Sequence, residues 1–459
     1  MSLEVIVLAA GQGTRMRSDL PKVLHPLAGR PLLAHVLDTA RSLDPAKIHV
    51  VVGHGADAVR ARCHGEDIHW VQQSEQLGTG HAVLMAMPAV HPDSQVLVLY
   101  GDVPLLRVDT LRPLIDAAPA LLTAVLPDPG GYGRVLRDEL GQLQGVVEHK
   151  DASDGQRKIR EINTGVLAYP ASLLNEYLPQ VGNANAQGEY YLPDVLSMAV
   201  NAGLAVAAVP AGDAAETLGI NDRKQLADAE RYLQRRHAER LMRDGVTLID
   251  PGRLDIRGEL RCGRDVLIDV NCVIEGTVVL GEGVVVGANV VLRDCEIAAG
   301  TEVHPMSHID GAEIGEGCSV GPYARLRPGT SLANGARIGN FVETKKASIG
   351  AGSKVNHLSY IGDATLGVGV NVGAGTITCN YDGIGKHHTE MGDGVFIGSN
   401  STLVAPLEIG DGGFVAAGST LTREVPSQAL AVARGKQRNI DNWQTPKQRA
   451  AADGGEEKS

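Results

Sequence analysis

The feature that most constrains this chain is a six-residue period running from about Ile256 to Leu421. A marker residue, mostly aliphatic and often followed by Gly, recurs at Ile256, Cys262, Ile268, Ile274, Leu280, Val286 and Leu292. It returns at Ile314, Val320, Leu326, Leu332 and Ile338, and finally at Ile397, Leu403, Ile409, Val415 and Leu421. A hexapeptide period specifies a parallel β-helix, in which each short strand buries its marker inside a prism and stacks on the coil below. The glycines after the markers (Gly281, Gly287, Gly315, Gly321, Gly339, Gly398 and Gly410) are expected at the corners, where a Cβ would be in the way.

With 459 residues the chain exceeds what one core supports, so at least two domains are expected. A net charge of -12 without blocks of like charge argues against a nucleic-acid surface, and small acidic substrates then need local basic sites. Six cysteines show neither CxxC pairing nor ligand-like His spacing, as expected of reduced thiols in a cytoplasmic protein. The apolar stretch Val5–Ala10 runs into a Gly-rich loop and predicts a strand rather than a signal sequence. No run approaches the roughly 20 apolar residues of a membrane span.

Residues 1–221 predict an α/β domain. Strand candidates Val5–Ala10, Ile48–Gly53, Val96–Leu99, Leu121–Val125 and Val166–Tyr169 alternate with helical patterns such as Pro31–Ser42 and Thr79–Met87, which implies a mostly parallel sheet. A connecting helix is expected over 222–245, with Leu226, Ala229, Leu233, His237 and Leu241 along one side and Gly245 stopping it. The repeat domain takes 246–459, interrupted by an insert at Thr378–Glu390, with disorder expected from about residue 450.

The first chemistry lies in Leu8-Ala-Ala-Gly-Gln-Gly-Thr-Arg-Met-Arg-Ser-Asp-Leu-Pro-Lys-Val-Leu-His. A Gly-rich turn after a strand brings backbone N–H groups close to phosphate oxygens at the carboxyl edge of a sheet. A dinucleotide fingerprint fails because its third glycine is Met16, and a P-loop fails because no Gly-Lys-Ser/Thr follows. Arg15 and Lys22 remain as fixed cations suited to a triphosphate. From residue type alone, Asp102 could equally be a turn residue and Asn221 the N-cap of the connecting helix, while Glu148 and Asn163 could be exposed polar residues.

Further strings are Gln73-Ser-Glu-Gln-Leu-Gly-Thr-Gly-His, Tyr100-Gly-Asp-Val-Pro-Leu, Gly131-Tyr-Gly-Arg, Val147-Glu-His-Lys-Asp, Glu161-Ile-Asn-Thr-Gly and Gly219-Ile-Asn-Asp. With them the first half resembles the sugar-nucleotide pyrophosphorylases. Joined to a hexapeptide domain, it resembles the bacterial family of bifunctional N-acetylglucosamine-1-phosphate uridylyltransferases and glucosamine-1-phosphate N-acetyltransferases. The resemblance implies a Rossmann-like α/β nucleotidyltransferase domain followed by a left-handed parallel β-helix. It implies acetyl transfer from acetyl-CoA to glucosamine-1-phosphate, then uridylyl transfer from UTP with release of pyrophosphate, feeding cell-envelope synthesis. It places Leu8, Ala9, Ala10, Gly11, Gly13, Lys22, Tyr100, Gly101 and Asp102 around the nucleotide, with Gln73, Gly78 and Thr79 on uracil and Gly133, Glu148 and Asn163 on the sugar. Arg15 and Lys22 are implied as catalytic cations, and Asp102 with Asn221 as the Mg²⁺ site.

In the coils, Arg325-Leu-Arg-Pro-Gly, Asn340-Phe-Val-Glu-Thr-Lys-Lys, Asn356-His-Leu-Ser-Tyr, Val370-Asn-Val-Gly-Ala-Gly-Thr and Cys379-Asn-Tyr-Asp-Gly concentrate polar residues. Arg327 and Lys345 are three hexads apart and are expected one above the other, a pair that calls for an anion such as a sugar phosphate. His357 suits a base that takes the ammonium proton of an amine attacking a thioester, and N–H groups of Gly373–Gly375 suit an oxyanion. The resemblance implies His357 as base, with Arg327, Lys345, Tyr360, Asn371 and Lys386 around glucosamine-1-phosphate and Glu343 orienting its neighbours. Ala374, Asn380, Tyr381, Ser399, Ala417 and Arg434 are implied toward acetyl-CoA, in a homotrimer with the site between subunits. Two alternatives stay open: a single-activity nucleotidyltransferase with structural or regulatory coils, and a nucleotide-sensing scaffold.

Overall fold

In the computed structural model, which describes residues 2–452, the chain divides into two compact units. The first runs to Leu260 and includes Val273–Thr277; the second comprises Arg261–Cys272 and the chain from Val278 onward.

The first unit is built on a sheet with strand order Ala207–Pro210, Ala120–Val125, Glu161–Pro170, Gln95–Tyr100, Leu3–Ala9, Lys47–Val52, Ile68–Gln72. Along this order the strands run parallel except Glu161–Pro170, antiparallel to both neighbours, and the antiparallel pair Arg134–Arg137 and Leu143–Val147 joins the sheet beside it. The central strand Leu3–Ala9 is apolar throughout because both faces are covered: Val5 and Val7 join one core cluster, Ile6 and Leu8 the other. Helix Leu32–Arg41 buries Leu32, Leu33, Val36, Leu37 and Ala40, an apolar stripe at helical spacing. From Leu3–Ala9 the sheet grows to one side through Lys47–Val52 and to the other through Gln95–Tyr100. The strand order therefore reverses between Ala9 and Tyr100, where open α/β sheets leave a crevice for ligands.

Helix Arg223–Arg243 buries Ala229, Leu233, Gln234, Ala238 and Leu241. Gln234 exchanges both hydrogen bonds with the backbone of Ile256, at 2.7 and 2.8 Å. The N-cap is Asp222, whose carboxylate accepts from Gln225 N–H at 2.8 Å, so the expected capping role of Asn221 is displaced by one residue. Gly245 follows the helix with φ of 94°.

The second unit is the left-handed β-helix, its coils forming two long parallel sheets. The coils continue across both gaps in the marker series. Leu292 pairs with Ile309, and Leu326 with Thr344, so a coil takes 17 or 18 residues, the shorter ones dropping a residue on one side. Between Ile338 and Ile397 the marker positions hold Thr344, Ile349, Val355, Ile361, Leu366, Val372, Thr378 and Met391, all buried. Thr344 and Thr378 belong there because their hydroxyls find partners inside the prism: Thr330 Oγ1 at 3.0 Å, and Gly362 N–H at 2.8 Å.

The glycines after the markers serve a different need from the one expected. A Cβ at Gly339 would lie 2.0 Å from Asn356 O, and one at Gly398 would lie 2.4 Å from Ala417 N, so they permit close approach of the next coil. Apart from Gly321, at φ of 98°, the left-handed bends come elsewhere, in columns such as Gly300, Gly317, Gly335, Gly352 and Gly369. A second column carries bulky residues at positive φ: Met306, Tyr323, Phe341 and Leu358, all exposed.

The insert is extruded between two strands. Ile377 pairs with Tyr360 and Thr389 with Ala364, so twelve steps replace four without disturbing register beyond, where Leu366 meets Met391. Helix Pro446–Ala452 occupies the start of the segment expected to be disordered; the remainder of that segment lies outside the described residues.

Candidate active sites

At the reversal point of the first unit lies a cleft of about 430 Å³, lined by the Leu8–Thr14 segment, Lys22, Gln73, Gln76, Gly78, Thr79, Tyr100, Asp102 and Glu189 among others. The Gly-rich turn brings Lys22 into it: Gly13 has φ of 65°, and a Cβ there would lie 2.6 Å from Lys22 Cβ. The Lys22 ammonium is gripped by the Asp102 carboxylate and by Asn221 Oδ1 at 3.1 Å. Ile220 N–H donates to Asp102 O at 2.9 Å, which ties the segment carrying Asn221 to the strand end carrying Asp102. Two hard oxygen donors thus converge on one cation, the donor chemistry a Mg²⁺ ion takes when phosphates and water complete its shell. Arg15 is exposed on the turn Thr14–Met16 and is not among the residues lining the cleft.

Gln73 is buried and donates to Gly78 O at 3.3 Å, a rigid amide at the far wall. Thr79 opens helix Thr79–Ala86, and its hydroxyl accepts from Leu192 N–H at 3.2 Å. Gly101 N–H donates to Leu8 O at 2.9 Å, closing the strand end behind the turn. Gly133, Glu148 and Asn163 also come together. Asn163 N–H donates to Gly133 O at 2.9 Å, its side-chain oxygen accepts from Gly165 N–H at 2.8 Å, and a Cβ on Gly133 would lie 2.9 Å from the Glu148 carboxylate. Burial, followed by the charges of Asp151 and Asp194, raises the Glu148 carboxyl above its ordinary value. Gln76, which donates to Ala10 O at 3.0 Å, and Glu189 line the cleft without having been singled out in the sequence. Gln76 was within reach, since it lies inside the Gln73–His81 string.

In the coils, the register Leu326 with Thr344 sets Arg327 against Lys345 one coil on, as their spacing predicts. Lys386, on the extruded loop, faces the same pair. The Lys386 ammonium beside Lys345, with Arg327 adding to it, pushes the Lys345 ammonium below the ordinary lysine range. Arg327 is partly balanced by Glu343, at 2.8 Å. Tyr360 lies across the next coil in register with Glu343, its hydroxyl over Gly362.

His357 ends the strand Lys354–His357 in the coil after Lys345, exposed, with Nδ1 2.9 Å from Asn340 Oδ1. Because an amide oxygen only accepts, Nδ1 carries the hydrogen and Nε2 keeps a free lone pair, the tautomer a general base needs. Asn340 was not identified from sequence; its signal is a position one coil below His357, with which it pairs. Register carries the His357 column upward through Ala374, Ser399 and Ala417, and Arg434 donates to Ala417 O at 2.6 Å. Asn380 is buried against the Asp363 carboxylate, and Tyr381 is exposed on the loop, bridged to Lys386. Asn371 sits apart, on the neighbouring side of the prism between Lys354 and Phe396. The expected oxyanion role narrows, because Gly373 N–H and Gly375 N–H are already bonded to Ile397 O and His357 O, at 2.8 and 3.3 Å.

Residues 5–181 match the MobA-like NTP transferase domain, 256–333 the GMPPB C-terminal domain, and 389–423 the hexapeptide repeat of succinyl-transferase. The chain is 58% identical over 451 residues to the bifunctional protein GlmU of Alkalilimnicola ehrlichii, covering 98% of this chain and 97% of that one. It is 56% identical over 449 residues to the GlmU of Marinobacter nauticus, covering 97% and 99%. With the GlmU of Stutzerimonas stutzeri it shares 57% over 450 residues, again 97% and 99%. Likeness at this level over nearly the whole of both chains means that this chain belongs to the bifunctional GlmU family.

Proposed function

We propose that this transferase joins two reactions, placing uridylyl transfer in 1–221 and acetyl transfer in 246–459, with the helix of 222–245 between them. In the coils, glucosamine-1-phosphate lies with its phosphate on Arg327, Lys345 and Lys386, which supplies the anion that three crowded cations lack. His357 Nε2 takes the ammonium proton, the amine nitrogen forms its bond to the thioester carbon of acetyl-CoA, and the C–S bond breaks as the nitrogen's surplus proton passes to sulfur, releasing CoA as a thiol and leaving the amide. Asn340 holds the ring in the productive tautomer. The cofactor chain follows the corner column of Ala374, Ser399 and Ala417 toward Arg434, with Asn380 and Tyr381 beside it.

In the amino-terminal cleft, the phosphate of N-acetylglucosamine-1-phosphate attacks the α-phosphorus of UTP and pyrophosphate leaves. Asp102 and Asn221 would hold a Mg²⁺ ion, which offsets phosphate charge when bound. Lys22 and Arg15 neutralise the oxygens of the attacking and leaving groups, Gln73, Gly78 and Thr79 receive the base, and Gly133, Glu148 and Asn163 receive the sugar.

The coils associate as a homotrimer. Left-handed backbone costs a bulky residue about 1–2 kcal/mol, and Met306, Tyr323, Phe341 and Leu358 hold it while exposing apolar surface, with Phe396 and Phe414 stacked at 4.5 Å nearby. A partner copy covers such surface, and Asn371, set apart from Lys345 within one chain, reaches the site of a neighbour. The six unpaired cysteines suit a cytoplasmic enzyme.

The observation that supports acetyl transfer is the hydrogen bond between His357 and Asn340, which leaves Nε2 free, in the coil that follows Lys345. In the full chain, His357→Ala should abolish CoA release from acetyl-CoA and glucosamine-1-phosphate while pyrophosphate release from UTP persists; Lys22→Ala should do the reverse. Equal loss of both activities in either variant would sink the assignment.

A further inference from the structure

A cavity of about 630 Å³ lies along helix Arg223–Arg243 and is closed by Arg107 and Asp213; it shares no lining residue with the nucleotide cleft. We propose that this cavity binds an oligophosphate, such as a nucleoside di- or triphosphate, at a site separate from both transferase sites.

Five arginines reach the cavity, in a chain whose net charge is -12. Their counter-ions are largely spent. Glu216, wholly buried, is taken up by Arg107 Nε at 2.7 Å, by Arg107 N–H and by the Thr110 hydroxyl. Glu239 is shared between Arg235 and Arg243, at 3.0 and 3.7 Å. Asp213 accepts from the Tyr232 hydroxyl at 2.6 Å and from Ala215 N–H at 2.9 Å.

Ordinary i, i+4 pairing on a solvated face accounts for Arg235 and Arg243. It does not account for Arg236 and Arg240, a like-charged pair one turn apart, which is destabilising on a bare helix. Arg236 donates to the Leu105 carbonyl at 2.8 Å and lies over the Tyr232 ring. Between them His237 keeps Nδ1 buried without a partner. Burial, then Arg240 and Arg236, push its pKa down to about 4, so the ring lines the cavity uncharged.

One ligand chemistry satisfies the whole set. Guanidinium forks pair bidentately with phosphate oxygens, and the neutral His237 ring beside them adds no competing charge. The volume lies within the range of about 300–1,000 Å³ usual for small-molecule sites.

The test uses the full chain and inorganic tripolyphosphate in calorimetry at low salt, with the His237 ring resonance followed by NMR and assigned through His237→Gln. Two binding events per chain are expected. Arg236→Gln/Arg240→Gln should remove one of them, weakening it at least about tenfold for the lost charge-assisted bonds, and Arg236→Lys/Arg240→Lys should retain it. Lys22→Gln should remove the other event and leave the His237 response in place, so failure of the nucleotide-cleft reading is distinguishable from failure of this one. A His237 resonance that does not move in the unaltered protein, or a double glutamine variant that keeps both events, would overturn the proposal.

Discussion

Asn340→Ala isolates the contribution of orientation at the acetyl site. The substitution removes the acceptor 2.9 Å from His357 Nδ1 and leaves the imidazole in place, since both residues are held by adjacent coil strands. A neutral hydrogen bond nets about 0.5–1.5 kcal/mol. If its whole effect is to select the tautomer with Nε2 free, the tautomer ratio shifts about 2- to 13-fold, since about 1.4 kcal/mol is a factor of ten, and the competent fraction falls by less than that factor. The expected outcome is a fall in kcat for CoA release that stays below about 13-fold, with KM for glucosamine-1-phosphate unchanged. Complete loss of the base in His357→Ala is expected to cost about 10²- to 10⁴-fold. Asn340→Asp supplies an independent arm: a carboxylate at that distance favours the imidazolium and should move the acid limb of the pH–rate profile upward. CoA release across pH, with pyrophosphate release as internal control, decides the matter. An alanine variant as damaged as His357→Ala, or one indistinguishable from the unaltered enzyme, would refute the role given to the bond.

Glu148 has its carboxyl raised by burial, Asp151 and Asp194, so the stability it contributes is complete below its ordinary value of 4.5 and is lost as pH rises through the folded value. Glu148→Gln should therefore raise the melting temperature at pH 8 and barely change it at pH 4, while KM for N-acetylglucosamine-1-phosphate rises. Asp382 accepts from Ile384 N–H, Gly385 N–H and His387 Nε2 at 2.7–2.8 Å, knotting the loop that carries Lys386. Asp382→Asn should raise KM for glucosamine-1-phosphate far more than it lowers kcat, and steady-state kinetics with unchanged constants would argue that the loop needs no such knot. Gly165 has φ of 83°, and a Cβ there would lie 2.7–2.9 Å from the Tyr100 ring. Gly165→Ala combines backbone strain with overpacking, together about 2–5 kcal/mol, and should lower the first melting transition by roughly 5–15 °C.

The architecture was legible wherever apolar side chains mark the inside. Ile256 through Leu292 and Ile397 through Leu421 announce their coils, and Val5–Ala10 announces the central strand. The pattern faded at Thr344 and Thr378, because a hydroxyl that finds its partner inside the prism fills a core position that hydrophobicity alone assigns to an aliphatic residue. It faded again where 17-residue coils broke the count of six. The glycines were noticed for a correct reason of shape, but their neighbour is the coil stacked on them rather than a bend of their own. Charged site residues such as Lys22, Arg327 and Lys345 stood out by spacing. Asn340, Gln76 and Glu189 did not, since their roles depend on contacts between strands distant in sequence.

The corner column from His357 through Ala374 and Ser399 to Ala417 also acts as a ruler. Neighbouring strands stand about 4.7–4.9 Å apart, so three coil steps mark off about 14 Å in fixed increments. A molecule laid along that edge is gauged in whole coils, and its reach could be retuned only by adding or deleting an entire turn of the prism, never by a fraction of one.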